Sequence, residues 1–335
     1  MKKKNPKYKW LRRSLRLLVT LFFVAFILLN WVAYNHAYRF THTDVSLQGE
    51  HPQGQVYKMS RSSLWDKIGY AFWGISIPKS KNDREPNGDF HLKSIVAGQD
   101  TLEAWWMETN EDEPKGIVIL CHGYGSCKSQ LLPATYWFLT QGYDCLSFDF
   151  VGHGGSSGDI TTIGFQEAEQ VKSIVEYVKK EYPSQPRILF GSSMGSVAVL
   201  KAVHDDPVEL ASMALILECP FGSLRQAILS RFKLMHIPSY GIADLLLFWG
   251  GVQHGFRGHS HNPVEYAKNI EMPTLIIYGK QDPKVAVEEV EKIYANLASK
   301  TKDLAILPCA GHNFILSHCP ELWPKKVASF LSGLD

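Results

Sequence analysis

The run Leu17 to Tyr34, LLVTLFFVAFILLNWVAY, holds 18 residues, of which only Thr20 and Asn30 are clearly polar. As a helix it would measure roughly 27 Å, close to the ~30 Å hydrocarbon core of a bilayer. A stretch this apolar must be covered by lipid, covered by a protein core, or removed. Eight Lys or Arg stand before it, at positions 2, 3, 4, 7, 9, 12, 13 and 16, and the first acid anywhere is Asp44. Tyr8 and Trp10 precede the run, and Trp31, Tyr34 and Tyr38 close it. Amphipathic aromatics of this kind belong at the two membrane interfaces. A cleaved signal peptide has a shorter apolar stretch and a small-x-small cleavage site. Here Ala33 and Ala37 are flanked by Trp31, Tyr34 and Asn35 instead. A core helix seldom has so many cations beside it. The reading favoured is an uncleaved anchor over residues 17–38. The tail 1–16 then stays cytoplasmic by the positive-inside rule, with the rest of the chain on the far side of the membrane.

The formal charge of +2 divides accordingly. With eight of the 35 basic residues in the tail, the remainder carries 27 against all 33 acids. An acidic body is a poor partner for nucleic acid, which requires clustered positive charge on the folded domain. Apolar residues make up 45% and charged residues 20%, a composition that excludes disorder and supplies a large core. The six cysteines are scattered over 335 residues and form no short-domain disulfide framework. Cys121, Cys145 and Cys219 fall in apolar runs as buried thiols, whereas Cys309 and Cys319 are free to pair or not. The chain has no Asn-x-Ser/Thr site, which leans towards a bacterial envelope.

Residues 39–89 form a connecting segment. Between Tyr57 and Pro78, the residues Leu64, Trp65, Ile68, Phe72 and Ile75 recur at helical spacing. Such a stripe covers either a membrane surface or the body, and packing against the body is the commoner use. From residue 90 to 333, strand-like and helix-like stretches alternate. The pair Phe90–Val96 and Leu102–Glu108 reads as a hairpin. Short apolar runs follow at Gly116–Cys121, Cys145–Phe150, Ile188–Phe190, Ala214–Glu218, Thr274–Tyr278 and Leu304–Leu307. Unalternating runs of this length suit strands covered on both faces. Helical patterns lie between them, at Ser129–Gln141, Phe165–Tyr182, Met194–His204, Val285–Ser299 and Glu321–Leu331. The expected architecture is α/β, a mostly parallel sheet with helices on both faces. Residues 220–270 break the rhythm and read as a cap.

Four local patterns carry chemistry. Gly191-Ser192-Ser193-Met194-Gly195 follows a strand and opens an Ala/Val-rich helix. In that context G-x-S-x-G marks a nucleophile elbow, a sharp turn that exposes Ser193. Ile119 to Ser126, ILCHGYGS, places a His-Gly step after a strand. The backbone N–H groups of Tyr124 and Met194 would then face a developing oxyanion, with His122 and Gly123 supporting the loop. Leu275 to Val285 ends a strand in a turn carrying Asp282, and Leu307 to Phe314 carries His312. The order Ser193, Asp282, His312 suits one triad: nucleophile, orienting acid and general base. Glu218 also ends a strand and is a rival acid. Asp149, beside the Gly-rich turn around His153, reads as a loop brace. His254, His259 and His261 cluster in the cap without a carboxylate or thiol at tight spacing, so no metal is expected there. No G-x-G-x-x-G follows a strand and no P-loop occurs, so no cofactor is implied.

Together these residues resemble the α/β-hydrolase superfamily, in its monoacylglycerol-lipase and serine-aminopeptidase-like branch. The likeness rests on Cys121-His122-Gly123-Tyr124-Gly125, the loop from Asp149 to Ser156, the elbow Gly191–Gly195, Gly279-Lys280-Gln281-Asp282 and Ala310-Gly311-His312. It implies a mostly parallel eight-stranded sheet and a cap over the site. It also implies hydrolysis of a small-molecule acyl substrate, lipid-like by virtue of the anchor at residues 17–34. A serine peptidase on the same triad, or a non-catalytic binding module, shares the fold.

Overall fold

Runs such as Ile117–Cys121 need cover on both faces, and a parallel sheet sandwiched by helices supplies it. A computed structural model describes residues 6–48, 63–234, 239 and 241–334. Tail residues Lys2, Lys3 and Lys4 and residues 57–62 of the connecting segment lie outside them.

The apolar run belongs to one long helix, α1 (Pro6–Thr41). Proline suits its first position, because the missing N–H has no partner there anyway. The helix is long and apolar enough to cross a membrane, and Leu17 to Leu29 are all exposed. It continues past residue 38, and one face of its last turns is buried. Ala33 and Ala37 are 2% and 4% exposed. Beyond it, β1 (Thr43–Asp44) pairs in parallel with β2 (Ile77–Pro78). Between them lies α2 (Leu64–Trp73), opened by a Ser63–Asp66 capping box. Among the described side chains of its stripe, Trp65, Ile68 and Phe72 are exposed rather than buried against the body. The helix lies beside α1, with the Trp73 ring 4.6 Å from that of Trp31, and Trp65 is left 80% exposed.

The body is built on eight strands in the order β10-β9-β8-β7-β5-β6-β4-β3. They are β3 (His91–Ala97), β4 (Asp100–Met107), β5 (Ile117–Cys121), β6 (Asp144–Phe148), β7 (Arg187–Ser192), β8 (Ala214–Glu218), β9 (Thr274–Gly279) and β10 (Lys302–Leu307). β5 to β10 pair in parallel, while β4 runs antiparallel to β6 and to β3. This is the mostly parallel eight-stranded sheet expected. Six helices matter for the site: α3 (Leu132–Thr140), α4 (Glu167–Glu181), α5 (Met194–Asp205), α6 (Leu224–Leu234), α7 (Ile242–His254) and α8 (Val287–Asn296), with α9 (Leu322–Leu331) closing the chain. In α4 the buried residues Ala168, Val171, Ile174, Val175 and Val178 form the apolar stripe read from the sequence. α6 and α7 fall within the excursion between β8 and β9.

The long apolar helix α1 is joined to the body. Ala33 and Ala37 pack with Phe232, Ala243 and Leu246 of α6 and α7. Trp249 Nε1 donates to Asn30 Oδ1 (3.2 Å) and Gln253 Nε2 to the Tyr34 carbonyl (2.9 Å). Past the helix end, Thr161 N–H donates to the Thr41 carbonyl (2.9 Å) and Thr43 N–H to that of Asp159 (2.7 Å). Small residues on α1 allow this close approach; a leucine at either alanine would push the helices apart.

Candidate active site

At the carboxyl end of β7 the chain must reverse into α5 within three residues. Ser193 takes φ 52°, ψ −109° to do so. A Cβ on Gly191 would lie 2.5 Å from the Ser196 nitrogen, and one on Gly195 would lie 2.2 Å from the Cys121 carbonyl oxygen. Only glycine permits either approach. Ser193 N–H donates to the Glu218 carbonyl (2.8 Å), and Ser196 Oγ donates to the carbonyls of Gly191 (2.7 Å) and Glu218 (2.9 Å). The elbow is thereby tied to its neighbouring strand.

Three side chains from three strand ends meet here. Ser193 Oγ lies 2.8 Å from His312 Nε2, and His312 Nδ1 lies 2.6 Å from Asp282 Oδ2. The carboxylate forces the tautomer, since Nδ1 must carry the proton it donates to Asp282. Nε2 is left as the acceptor for the serine proton. Asp282 also accepts from the Lys284 (2.7 Å) and Val285 (3.0 Å) N–H groups. Burial works to raise its pKa, yet the His312 hydrogen bond and charge and these two donors carry it below the ordinary carboxylate range. Burial lowers the pKa of His312 against the pull of Asp282, and the charges of Lys284 and Arg231 act the same way. The imidazole is therefore neutral, and able to accept a proton, from below its ordinary pKa upward. The turn Pro283-Lys284-Val285 that follows Asp282 delivers the two N–H groups that hold the carboxylate.

The rival acid points elsewhere. Glu218 Oε1 accepts from Trp323 Nε1 on α9 (2.6 Å), and burial pushes its carboxyl up to about 7. Folded, it keeps its proton to about pH 7; unfolded, it loses the proton near 4.5. The folded state binds more protons in between, so this stabilisation is present below pH 4.5 and lost as pH rises through about 7. Glu218→Gln should abolish that slope, which amounts to on the order of 3 kcal/mol. Urea midpoints at several pH values would test it; parallel curves for the two proteins would show Glu218 to be indifferent.

The loops around the triad are braced by groups that take no part in the serine relay. His122 Nε2 accepts from Phe150 N–H (3.0 Å), so its Nδ1 donates to the Gly123 carbonyl (2.8 Å). Burial first, and His153 second, hold its pKa at about 3. His153 Nε2 in turn accepts from Gly125 N–H (3.2 Å). Asp149 Oδ1 accepts from Lys128 N–H (2.7 Å), and its Oδ2 accepts from Lys128 Nζ (2.5 Å), Asn82 Nδ2 (2.7 Å) and Gly155 N–H (2.9 Å). Cys309 and Cys319, left open by the sequence, form a disulfide that brackets the loop carrying His312.

The cap histidines take separate partners. His261 is buried between the Tyr266 hydroxyl (3.1 Å) and the Ile163 carbonyl (3.0 Å), and His259 faces Asp244 (3.0 Å). Among the described residues, donor atoms of Cys219, Asp282 and His312 lie within 4.8 Å of one another. Both His312 nitrogens are engaged, and burial drives the Cys219 thiol far upward, so the set suits no metal, whose ligands must be deprotonated. Sequence reasoning missed Arg231, whose Nη1 donates to the Ala227 carbonyl (2.9 Å) and whose charge reaches His312. It also missed the Tyr124 hydroxyl, which donates to the Phe40 carbonyl at the end of α1 (2.7 Å). Neither contact has a local sequence signal.

Sheet order, elbow and strand-end side chains give the chain an α/β-hydrolase fold. The family described as serine aminopeptidase, S33, matches residues 112–247. An uncharacterised Bacillus subtilis protein, YqkD, is 26% identical over 226 residues, covering 67% of this chain and 73% of that one. The monoacylglycerol lipase of Mycolicibacterium smegmatis is 28% identical over 236 residues, covering 61% of this chain and 83% of its own. Among solved structures, the Pyrococcus furiosus esterase Pf2001 superposes with a TM-score of 0.62 at 24% identity, over 76% of this chain and 98% of that one.

Proposed function

We propose that this chain is a membrane-anchored serine hydrolase that cleaves a carboxylic ester of a lipid-like acyl substrate. The observation that carries the reading is the unbroken hydrogen-bond line from Ser193 Oγ through His312 to Asp282. Ser193 attacks the acyl carbonyl as His312 Nε2 takes its proton. The N–H groups of Tyr124 and Met194 receive the oxyanion. His312 returns the proton to the leaving alcohol, then activates a water that releases the acid from the acyl-enzyme. His122 and Gly123 hold the oxyanion loop, and Gly191 and Gly195 hold the elbow.

The layout proposed is a cytoplasmic tail (1–16), an anchor (17–38), a connecting segment (39–89) and a catalytic domain (90–333) with a cap near 220–270. A disulfide in the body accords with an oxidising compartment beyond the membrane. The exposed Trp65 and Trp73 of α2 accord with a helix lying at the membrane interface.

The serine-aminopeptidase match supports a second reading, a peptidase on the same triad. Turnover of matched p-nitrophenyl esters and aminoacyl p-nitroanilides by the full-length protein in detergent separates them. Ester kcat/KM should exceed that of any anilide by at least about tenfold; the reverse order would establish the peptidase.

A further inference from the structure

Beneath the cap lies a cleft enclosing about 50 Å³, its wider space open to solvent. Its exposed lining is mostly apolar, with Arg231, Thr41, Thr162 and Tyr124 the polar members. Ile228, Leu247 and Gly250 come from the cap helices, but Ala37, Phe40 and Thr41 come from α1. Tyr124 lines it as well, so the cavity reaches the loop whose backbone is assigned to the oxyanion. The same Tyr124 holds the Phe40 carbonyl through its hydroxyl. The end of the membrane helix thus both walls the cavity and fixes the oxyanion loop.

We infer that the last two turns of α1 form one wall of the acyl-chain site, so that the membrane helix helps to set which chain lengths the enzyme accepts. This rests on the acyl-hydrolase reading above. The ligand is the acyl chain of a long-chain ester drawn from a lipid surface. An apolar cavity with few polar groups takes such a chain and rejects a peptide, whose amides would lose their hydrogen bonds to water. The distance is short. Phe40 lies six residues beyond Tyr34, where the apolar run ends, about 9 Å along the helix axis. A chain leaving the bilayer beside α1 meets the cavity within that distance.

Two substitutions probe the wall from opposite sides. Gly250 lines the cleft, and a Cβ added there meets no heavy atom within 4 Å, so Gly250→Leu adds bulk at that wall from an open position. Phe40→Ala removes a ring from the α1 side and leaves the backbone carbonyl that Tyr124 holds. The readout is the ratio of kcat/KM for p-nitrophenyl palmitate to that for the butyrate, measured on full-length enzyme in detergent micelles. The ratio cancels losses of folded enzyme and of triad efficiency. Relative to wild type it should fall about tenfold or more in Gly250→Leu and rise severalfold in Phe40→Ala. A fall in Gly250→Leu with no change in Phe40→Ala would show an acyl cavity that α1 does not shape, and would overturn the inference. An unchanged ratio in both variants would overturn it too. A wild-type enzyme that hydrolyses neither ester would sink the acyl-hydrolase reading itself, an outcome told apart by the butyrate rate alone.

Discussion

Ser193→Ala is expected to lose roughly 10⁶-fold in kcat and all covalent labelling by a fluorophosphonate. The expected loss is large because, in the proposed mechanism, the three side chains act as one unit. Without Oγ there is no nucleophile for His312 to activate and no acyl-enzyme to form. A residual rate of about 10³–10⁴ over water should persist from oxyanion stabilisation and binding. The fold should not suffer. Alanine occupies the same strained φ of 52° that Ser193 tolerates, and the backbone hydrogen bond from Ser193 to Glu218 is kept. An unchanged thermal midpoint would confirm that the loss is chemical. Labelling of the variant at wild-type intensity would assign the nucleophile to another residue and remove the basis for the proposed mechanism.

Lys128→Met should produce the largest loss of stability, about 3–5 kcal/mol. Lys128 is fully buried, with its Nζ 2.6 Å from Glu103 Oε1, 2.5 Å from Asp149 Oδ2 and 4.5 Å from the centre of the Trp105 ring. Methionine fills much of the stem's volume, so little of the expected cost comes from a cavity. What remains is an Asp149 carboxylate, itself fully buried, that has lost its cation. It retains hydrogen bonds from Lys128 N–H, Asn82 and Gly155 N–H, but no balancing charge on that side. Removing both charges as Lys128→Met with Asp149→Leu should not restore stability, because those donors would then lose their acceptor. For a domain of this size the single substitution corresponds to a fall in Tm of roughly 10 °C. A variant within about 1 kcal/mol of wild type would show that the loop is held by its backbone hydrogen bonds alone.

The strands, the main helices of the body and the elbow were legible because each is specified locally. Ile117–Cys121 is apolar at every position and so must be covered on both faces, whichever elements supply the cover. Gly191 and Gly195 announce a turn that no side chain would allow. The choice between Asp282 and Glu218 was not legible to the same degree. Both end buried strands, and their difference is one of direction: Asp282 reaches His312, while Glu218 reaches Trp323. The surroundings of α2 stayed open because periodicity gives a stripe but not the identity of what the stripe meets. The Cys309–Cys319 pair stayed open because pairing depends on distance in space, not on spacing in sequence.

By itself the sequence determined the sheet-and-helix alternation, the membrane-length helix and the candidate triad residues in their order. These follow from side-chain size, polarity and backbone freedom, which are properties of short segments. Only the tertiary structure decided that α1 ends against the cap, that Phe40 and Tyr124 meet, and that a cavity opens between them. Those contacts join residues about 80 to 220 positions apart and are made by alanines, a carbonyl and a hydroxyl. Such groups carry no local pattern. Their role comes from close packing of surfaces that meet only after the sheet has formed.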